Sequence, residues 1–290
     1  MFDITGKRFW FFITSGIIIL LGIVSLATFG LKAGIEFSSG SLMTLSFEQD
    51  VDQDELRQEL AILDYTNAIV QRTGEGDFLI RLPELSDKAK AELEAGLTTK
   101  FGNLEVRGFE DVSPMVAAET ARNAAIAVAV AAIGILLYVT WAFRRMPSPF
   151  HYGTCAIVAL LHDVLVVLGV FSILGGLLDW EINLMFITGT LAVIGYSVNN
   201  TVVIFDRIRE NLTKGVSSNF EIVVNNSLVE TLGRSLNTSL TTLIVVLSLL
   251  LFVGASIQNF AVVLLIGIFA GTYSSICVAP QLLLVWKRRA

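Results

Sequence analysis

One carboxylate lies well inside an apolar stretch of this 290-residue chain. Asp163 is the only acidic residue deep within a predicted membrane span, and His162 directly precedes it. Placing a carboxylate at the bilayer centre costs about 2.5–3.5 kcal/mol on insertion scales, so such a residue is a functional candidate by default. It could take up and release a proton. The competing interpretation is a structural hydrogen bond to a neighbouring helix.

A second polar group interrupts the next apolar stretch, LAVIGYSVNNTVVIFDRIRE at residues 191–210. Hydrocarbon tolerates consecutive polar side chains only where they are buried against protein, so this helix should face a packed interior. An amide cannot carry a proton, and interhelical hydrogen bonds in membranes contribute about 0.6 kcal/mol on average. Side-chain chemistry alone therefore favours helix–helix adhesion here. The polar residues are Ser197, Asn199, Asn200 and Thr201.

Arg234 begins a third polar run, at the start of another apolar stretch. Spacing of i, i+3 and i+4 places it on one helical face with Asn237, Thr238 and Thr241. Arg234 could snorkel to the membrane interface, or it could pair with Asp163 inside the membrane. We expect a polar seam between the spans that carry these three groups. Close approach of the spans would be helped by Gly189, Gly195, Gly267 and Gly271.

The chain lacks the motifs of several common enzyme classes. It contains no G-x-x-x-x-G-K-[ST], no G-x-S-x-G and no H-E-x-x-H, which argues against an ATP motor, a serine hydrolase and a zinc protease. Its only histidines, His151 and His162, are poorly placed for a metal pair, and Cys155 and Cys277 lie within apolar spans. We therefore expect no enzyme activity, no catalytic residue, no metal and no cofactor.

Composition places the chain in the membrane class. Hydrophobic residues make up 54% of it and the mean hydropathy is +0.70, and about 20 apolar residues cross the roughly 30 Å of bilayer hydrocarbon. Six stretches are long enough, near residues 9–29, 124–143, 152–175, 182–205, 236–254 and 260–285. The net charge of −6, and the excess of acids between residues 31 and 122, argue against nucleic acid as a partner.

The short loops predict the orientation, because cytoplasmic loops carry an excess of Lys and Arg. Basic residues at one set of span ends are Lys7 and Arg8, Arg144 and Arg145, Arg207 with Arg209 and Lys214, and Lys287 to Arg289. The opposite loops, 176–181 and 254–259, contain neither Lys nor Arg. Both termini are therefore expected in the cytoplasm, and residues 31–122 outside it.

Residues 31–122 have the pattern of a small α+β domain. Alternating apolar residues predict strands at 42–47, 68–70, 78–82 and 103–109, and helical spacing predicts helices at 52–63 and 86–99. The order β-α-β-β-α-β is the ferredoxin-like motif. We therefore divide the chain into a first transmembrane helix (1–30), an extracytoplasmic ferredoxin-like domain (31–122) and a five-helix transmembrane region (123–290) with a cytoplasmic C-terminus. A helix at 220–232 could lie along the membrane surface.

Glycines and serines follow the first span, in the string Gly34-Ile-Glu-Phe-Ser-Ser-Gly-Ser41. They could form a tight turn that docks the outer domain on the membrane, or a simple linker. The candidate hinge residues are Gly34, Glu36, Phe37 and Gly40.

Four strings of this chain resemble signatures of the SecF family, the smaller half of the SecD/SecF protein-export complex in the resistance–nodulation–division superfamily. Residues 34–40 are similar to its G-[IL]-D-F-x-G-G, and residues 162–163 to its H-D in span three. Residues 194–211 are similar to I-G-Y-S-x-N-D-T-V-V-x-x-D-R-I-R-E-N, and residues 231–242 to T-x-x-R-T-x-x-T-S-x-T-T. A shorter string, residues 271–275, fits the family's last span. The resemblance covers essentially the whole chain. It implies a membrane all-α six-helix bundle of this superfamily's half-size type, with an extracytoplasmic α+β ferredoxin-like domain.

The resemblance also implies partners and an energy source. It predicts a multi-pass protein of the bacterial plasma (inner) membrane that forms a heterodimer with SecD and assists the SecYEG channel. Further implied partners are SecA, YajC-type subunits, translocating preproteins and membrane lipid. The implied energy source is the proton gradient, with Asp163, Asn200 and Arg234 as proton-relay candidates. The supporting polar seam comprises His162, Ser197, Asn199, Thr201, Asn237, Thr238 and Thr241.

The chain departs from the family pattern at the residue expected to carry the proton. Asn200 stands where the pattern has Asp, while Glu36 replaces an Asp and Ser39 replaces a Gly. Either Asn200 is an introduced replacement that mimics the protonated state, or the proton-carrying role belongs to Asp163 or to SecD. The alternative functions are a structural scaffold for SecD and the channel that carries no proton, and half of a lipid or drug exporter of the same superfamily.

Overall fold

The computed structural model describes residues 3–73, 76–252 and 257–289, with side chains described as far as Lys287. Three predicted features lie wholly or partly outside these residues. They are the turn that Gly74-Glu75-Gly76 predicts between the second and third strands, the loop at 254–259 and the basic side chains at 288–289. The chain forms two compact units, residues 1–32 with 126–290, and residues 33–125. A 3-10 turn (Thr5–Lys7) precedes the first helix, and the elements in chain order are α1 (Arg8–Thr28), α2 (Ile35–Ser38), β1 (Gly40–Phe47), α3 (Gln53–Ile62), β2 (Ile69–Arg72), β3 (Phe78–Leu82), α4 (Asp87–Phe101), β4 (Leu104–Val112), α5 (Pro114–Ala142), α6 (Pro149–Leu178), α7 (Leu184–Thr213), α8 (Phe220–Phe252), α9 (Gln258–Cys277) and α10 (Ala279–Arg289).

Six helical segments of the described chain are long and apolar enough to cross a membrane. They are α1 with its preceding turn, α5, α6, α7, α8, and α9 together with α10. The mean hydropathy of their most apolar windows is lowest for α7, at 1.3, because α7 carries the polar run. The chain is therefore a multi-pass membrane protein, and the six predicted spans are all found.

Helix α8 runs without a break from Phe220 to Phe252, so the separate helix expected at 220–232 is not found. Its first turns pack against the end of α7, where the Asn211 side-chain amide donates to Ser227 Oγ at 3.0 Å. Arg207 adds an ion pair with Glu230 at 2.6 Å. These contacts hold the start of α8 against α7, so this segment packs on protein and not on a membrane surface.

The last span divides at Val278 into α9 and α10, where a single helix was expected. Pro280 has no backbone N–H, so it cannot make the helical bond back to the carbonyl of Ile276. Helix α10 then packs beside α6, where the His151 and Trp286 rings stack with centroids 4.4 Å apart.

Helices α1 and α6 run parallel and approach closely. Gly22 lies against Gly169, and a Cβ atom on Gly169 would lie 2.6 Å from Gly22 Cα. Ser25 Oγ donates to Ser172 Oγ at 2.9 Å, and both side chains are buried. The partner numbers differ by 147 at both levels, so the two helices keep one register along this contact.

Helices α7 and α9 also run parallel, and small residues alternate between them. Their contacts recur every four residues, pairing Gly189 with Val263, Val193 with Gly267, Ser197 with Gly271 and Thr201 with Ser275. A Cβ atom on Gly267 would lie 2.1 Å from Val193 Cγ2, so no larger residue fits there. Gly195 does not take part, since no described atom lies within 4 Å of its Cβ position. Three of the four glycines expected to allow close approach therefore do so.

The unit formed by residues 33–125 contains an antiparallel sheet with strand order β2-β3-β1-β4. Helix α3 connects β1 to β2, and α4 connects β3 to β4, so the expected order β-α-β-β-α-β follows the short helix α2. Apolar side chains of the strands and of both longer helices form one buried core. Its members include Met43, Leu45, Ile80, Leu56, Leu60, Leu93 and Leu97.

The candidate hinge residues fall in α2 and at the start of β1. Gly34 precedes α2, Glu36 and Phe37 lie within it, and Gly40 begins β1. Gly40 has a φ of 121°, and a Cβ atom there would lie 2.5 Å from the carbonyl oxygen of Leu82. Only glycine meets both requirements, so the residue is needed to start this strand.

Ser39 adopts a backbone conformation that favours glycine, with φ 64° and ψ 167°. Non-glycine residues in this region carry about 1–3 kcal/mol of strain, whereas glycine costs about 0.5–1 kcal/mol in entropy. We therefore expect Ser39→Gly to raise the free energy of unfolding by about 0.5–2 kcal/mol, measured by denaturant unfolding of the purified chain. Ser39→Ala keeps the Cβ atom and should give no gain. Equal gains from both changes would contradict strain at this residue.

Candidate functional site

Asp163 lies at the junction of three membrane helices. It belongs to the apolar helix α6, and its side chain is 1% exposed. Ser197 Oγ of α7 donates to Asp163 Oδ2 at 2.5 Å, and Ser274 Oγ of α9 donates to the same oxygen at 2.8 Å. His162 Nδ1 lies 3.0 Å from the other oxygen, Oδ1. Every hydrogen-bonding group around this carboxylate therefore comes from a membrane helix.

The close contact between α7 and α9 positions the two serines. Ser197 packs directly on Gly271, where a Cβ atom would lie 2.9 Å from Ser197 Cβ. Ser274 lies almost one turn further along α9, and its hydroxyl is also 3.3 Å from the Gly271 carbonyl oxygen. The missing side chain at Gly271 thus allows hydroxyls from both helices to reach Asp163.

A second buried polar cluster joins α7, α8 and α9 around Ser239. Tyr196 OH donates to Ser239 Oγ at 2.9 Å, and Ser239 Oγ lies 2.6 Å from Thr272 Oγ1. Asn200 Nδ2 lies 3.5 Å from Ser239 Oγ, at the long limit for a hydrogen bond. Asn200 is buried, so the amide that replaces the family's Asp faces α8 and α9, while Thr201 pairs with Ser275.

The structure does not bring Arg234 to Asp163 or Asn200. Arg234 and the residues expected to share its face are exposed in this chain, as is Asn199, and no ion pair of Arg234 occurs within the described ranges. The prediction that this face of α8 packs against other helices of the chain is therefore wrong. The exposed set is Arg234, Asn237, Thr238, Thr241 and Asn199.

The reason is the angular position of Arg234 around the axis of α8. Its buried face follows four-residue steps through Ser227, Thr231, Ser235 and Ser239, and neighbouring residues point about 100° apart around a helix. Arg234 directly precedes Ser235 and so turns away from that face. Serine and threonine recur at this spacing in the sequence, but a hydroxyl side chain in a helix does not by itself predict which face is buried.

Several residues of the site were missed from the sequence. Ser274 supplies a direct hydrogen bond to Asp163, and Tyr196, Ser239 and Thr272 form the second cluster. The only sequence indication for Ser274 was its place in the string of residues 271–275 that resembles the family's last span. A single serine in such a string predicts no particular contact.

The chemistry available at Asp163 is that of one carboxylate and one imidazole. An ionised carboxylate only accepts hydrogen bonds, so the two serine hydroxyls and an imidazole N–H must donate to it. Such a site can hold a negative charge, or a proton, inside the membrane. Within the described ranges, no group of three or more His, Cys, Asp or Glu side chains that could hold a metal ion is found.

The fold and site define a class of protein: a six-span membrane protein that carries a buried ionisable pair and a small α/β unit between its first two spans. Residues 92–289 match the model of the SecD/SecF protein export membrane protein C-terminal region, and residues 24–51 match the SecD/SecF GG motif. The chain belongs to the SecD/SecF protein-export family.

Relatives support this assignment along the whole chain. The protein translocase subunit SecF of Thermobaculum terrenum is 43% identical, over 100% of this chain and 95% of its own length. The SecF subunit of Anaerolinea thermophila is 40% identical, over 99% and 94%. The crystal structure of SecDF from Thermus thermophilus, a translocon-associated membrane protein, matches with a TM-score of 0.89 and 35% identity. The match covers 99% of this chain but only 39% of that SecDF chain.

Proposed function

We propose that this chain is the SecF-type subunit of a SecD/SecF complex that uses the proton gradient to assist protein translocation through SecYEG. The observation that carries the proposal is the Asp163 carboxylate, buried at 1% exposure between three membrane helices with hydroxyl donors from two of them. A plain anchor does not need such a group, because a carboxylate in a membrane is costly.

The free energy of the proton gradient is large enough to drive a conformational change of the membrane helices. One proton that crosses a potential of 100 mV releases about 2.3 kcal/mol. A few protons therefore supply enough free energy to shift a packed membrane interface between two arrangements. In this proposal the buried site at Asp163 holds the proton within this chain, and the helices that donate to Asp163 respond.

The exposed polar face of α8 supports a membrane partner. Arg234 and its neighbours Asn237, Thr238 and Thr241 are exposed in the isolated chain, and a charged side chain facing lipid is costly. We propose that SecD covers this face, so that Arg234 serves the relay from the boundary between the subunits. SecYEG, SecA, YajC-type subunits and translocating preproteins are the further proposed partners.

The fold supports finer assignments as part of the same proposal. The antiparallel sheet order β2-β3-β1-β4, with two helices in the order β-α-β-β-α-β, supports a ferredoxin-like outer domain. The six spans support a half-size bundle of the resistance–nodulation–division type. The distribution of Lys and Arg supports both termini in the cytoplasm, and the bacterial SecF relatives support a location in the bacterial plasma membrane.

One observation favours a second function, a scaffold for SecD and the channel that carries no proton. Asn200 is an amide where the family pattern has a carboxylate, and its hydrogen bond to Ser239 is long. The two functions differ in their dependence on the gradient. The test is preprotein export into inverted membrane vesicles in which this chain is the only SecF, with the proton gradient intact or collapsed. Our proposal predicts faster export with the gradient intact, whereas equal rates would support the scaffold.

Restoring the family's carboxylate at residue 200 should increase the gradient-dependent part of export. Asn200→Asp adds an acid beside Ser239, where it can accept a hydrogen bond and take up a proton. The measurement is the difference in export rate between intact and collapsed gradients. Asn199→Asp is the matched control, since Asn199 is exposed beside it; it should bring no increase. An unchanged difference in Asn200→Asp would remove residue 200 from the relay.

A further inference from the structure

His162 is buried beside Asp163, with 5% of its surface exposed. Its ring lies next to the Tyr273 ring of α9, with centroids 5.9 Å apart and planes tilted by 30°. The Tyr273 hydroxyl is engaged elsewhere, because it donates to the Phe11 carbonyl oxygen at 2.8 Å and accepts from Ser15 Oγ at 3.2 Å. His162 therefore meets the face of Tyr273 and not its hydroxyl.

The two ring nitrogens of His162 have different surroundings. Nδ1 lies 3.0 Å from Asp163 Oδ1, while Nε2 is buried and has no hydrogen-bond partner among the described residues. When Asp163 is ionised it can only accept, so Nδ1 must carry the hydrogen of this bond. The neutral imidazole then has its lone pair on Nε2. Buried polar atoms without partners are uncommon and often occur at functional sites.

The carboxylate itself offers an arriving proton no comparably open atom. Oδ2 already accepts from Ser197 and Ser274, and Oδ1 faces His162 Nδ1. Oδ1 keeps a second lone-pair site, but Nε2 is the atom of the pair that makes no hydrogen bond among the described residues. The same geometry, a carboxylate that orients an imidazole through Nδ1 while Nε2 exchanges the proton, is used in general acid–base catalysis.

We propose that His162 Nε2 is the atom at which a proton enters and leaves the buried pair, with Asp163 as the compensating negative charge. The inference rests on the proposed function, in which this site carries protons. On uptake the proton binds the Nε2 lone pair, and the hydrogen on Nδ1 stays there or moves to Asp163 Oδ1. The pair gains one proton and one positive charge, and release reverses the step. Nothing is oxidised or reduced.

Few other titratable groups face this pair. On α9 the titratable neighbour is Tyr273, with Cys277 one turn further along, and the hydrogen bond from α7 comes from the Ser197 hydroxyl. Helix α1 carries no charged residue between Phe9 and Thr28. Helix α5 carries no charged residue between Asn123 and Ala142, and α10 carries none before Lys287. Asp163 is therefore the charged group in direct contact with His162.

The direct test is the protonation of His162 itself. This chain contains two histidines, so His151→Asn leaves His162 as its only one. With the chain labelled with 15N-histidine and assembled with SecD in bilayers, NMR reports each ring nitrogen separately. We expect Nε2 to change from unprotonated to protonated as the pH is lowered, while Nδ1 keeps its hydrogen bond. An Nε2 that is protonated, or unprotonated, at every pH would overturn the proposal.

The functional test compares the same change at both histidines. In His162→Asn the amide can still donate to Asp163 Oδ1, but no atom replaces Nε2. We expect it to reduce gradient-driven export to the collapsed-gradient level, whereas His151→Asn should retain the wild-type rate. A wild-type rate in His162→Asn beside a loss in Asp163→Asn would overturn this inference and leave the proposed function standing. Wild-type rates in both would overturn both, and the NMR result decides if His162→Asn does not assemble.

Discussion

Asp163→Asn is expected to remove the gradient-dependent part of preprotein export and to leave the ATP-driven part unchanged. Asparagine has nearly the same shape as aspartate, and its carbonyl oxygen can still accept from Ser197 and Ser274. The variant should therefore fold and assemble, but residue 163 can no longer hold a proton or supply the negative charge that compensates a proton on His162. The measurement is the export rate into inverted vesicles with the gradient intact, which should fall to the rate seen when the gradient is collapsed.

The matched control is Asp54→Asn, the same change at an exposed carboxylate of α3 that forms an ion pair with Arg57 at 3.6 Å. Exposed pairs of this kind contribute about 0–1 kcal/mol, so this control should export at the wild-type rate. If Asp163→Asn kept its full response to the gradient, Asp163 would be a structural hydrogen-bond acceptor. The scaffold function would then be favoured.

Gly267→Val should separate α7 from α9 and destabilise the membrane unit. A Cβ atom on Gly267 would lie 2.1 Å from Val193 Cγ2, and overpacking of this kind costs about 1–3 kcal/mol or more. The double variant Val193→Gly with Gly267→Val exchanges the two side chains and should recover much of the loss. The measurement is the midpoint of thermal unfolding of the purified protein.

Gly195→Val controls for the effect of valine in place of glycine on helix formation. Gly195 lies on α7 with no described atom within 4 Å of its Cβ position, so this variant should unfold near the wild-type midpoint. If the exchanged pair were no more stable than Gly267→Val alone, the alternating contact between α7 and α9 would not be what holds these helices together.

The elements of this fold were largely predictable from the sequence, because each follows from a local pattern. Hydrophobic stretches of about 20 residues predict spans, and all six spans are found. Alternation predicted β3 at 78–82, the bounds observed for Phe78–Leu82. Local patterns do not predict features that tertiary contacts determine. One such feature is the uninterrupted helix α8, whose first turns are held by Asn211 and Arg207 of α7.

The site was only half predictable for a similar reason. Asp163 stands out because a carboxylate in an apolar stretch is costly, and it is buried as its chemistry requires. Ser274 does not stand out, because its hydrogen bond to Asp163 of α6 depends on the contact between Ser197 and Gly271 that aligns α9 with α7. Arg234 does share a face of α8 with Asn237, Thr238 and Thr241, but that face is exposed, and the buried face is the serine and threonine stripe. The face of a helix that meets its neighbours is set by packing, which spacing alone does not determine.

Proton uptake by the reconstituted complex tests the central claim most directly. Proteoliposomes that contain SecYEG, SecD and this chain would be given a proton gradient, and the internal pH followed during SecA-driven export of a preprotein. We predict that the wild-type complex moves protons with the gradient during export, and that the Asp163→Asn complex exports without moving them. Equal proton movement by the two complexes would contradict the assignment of the buried pair at residues 162 and 163 as the proton site.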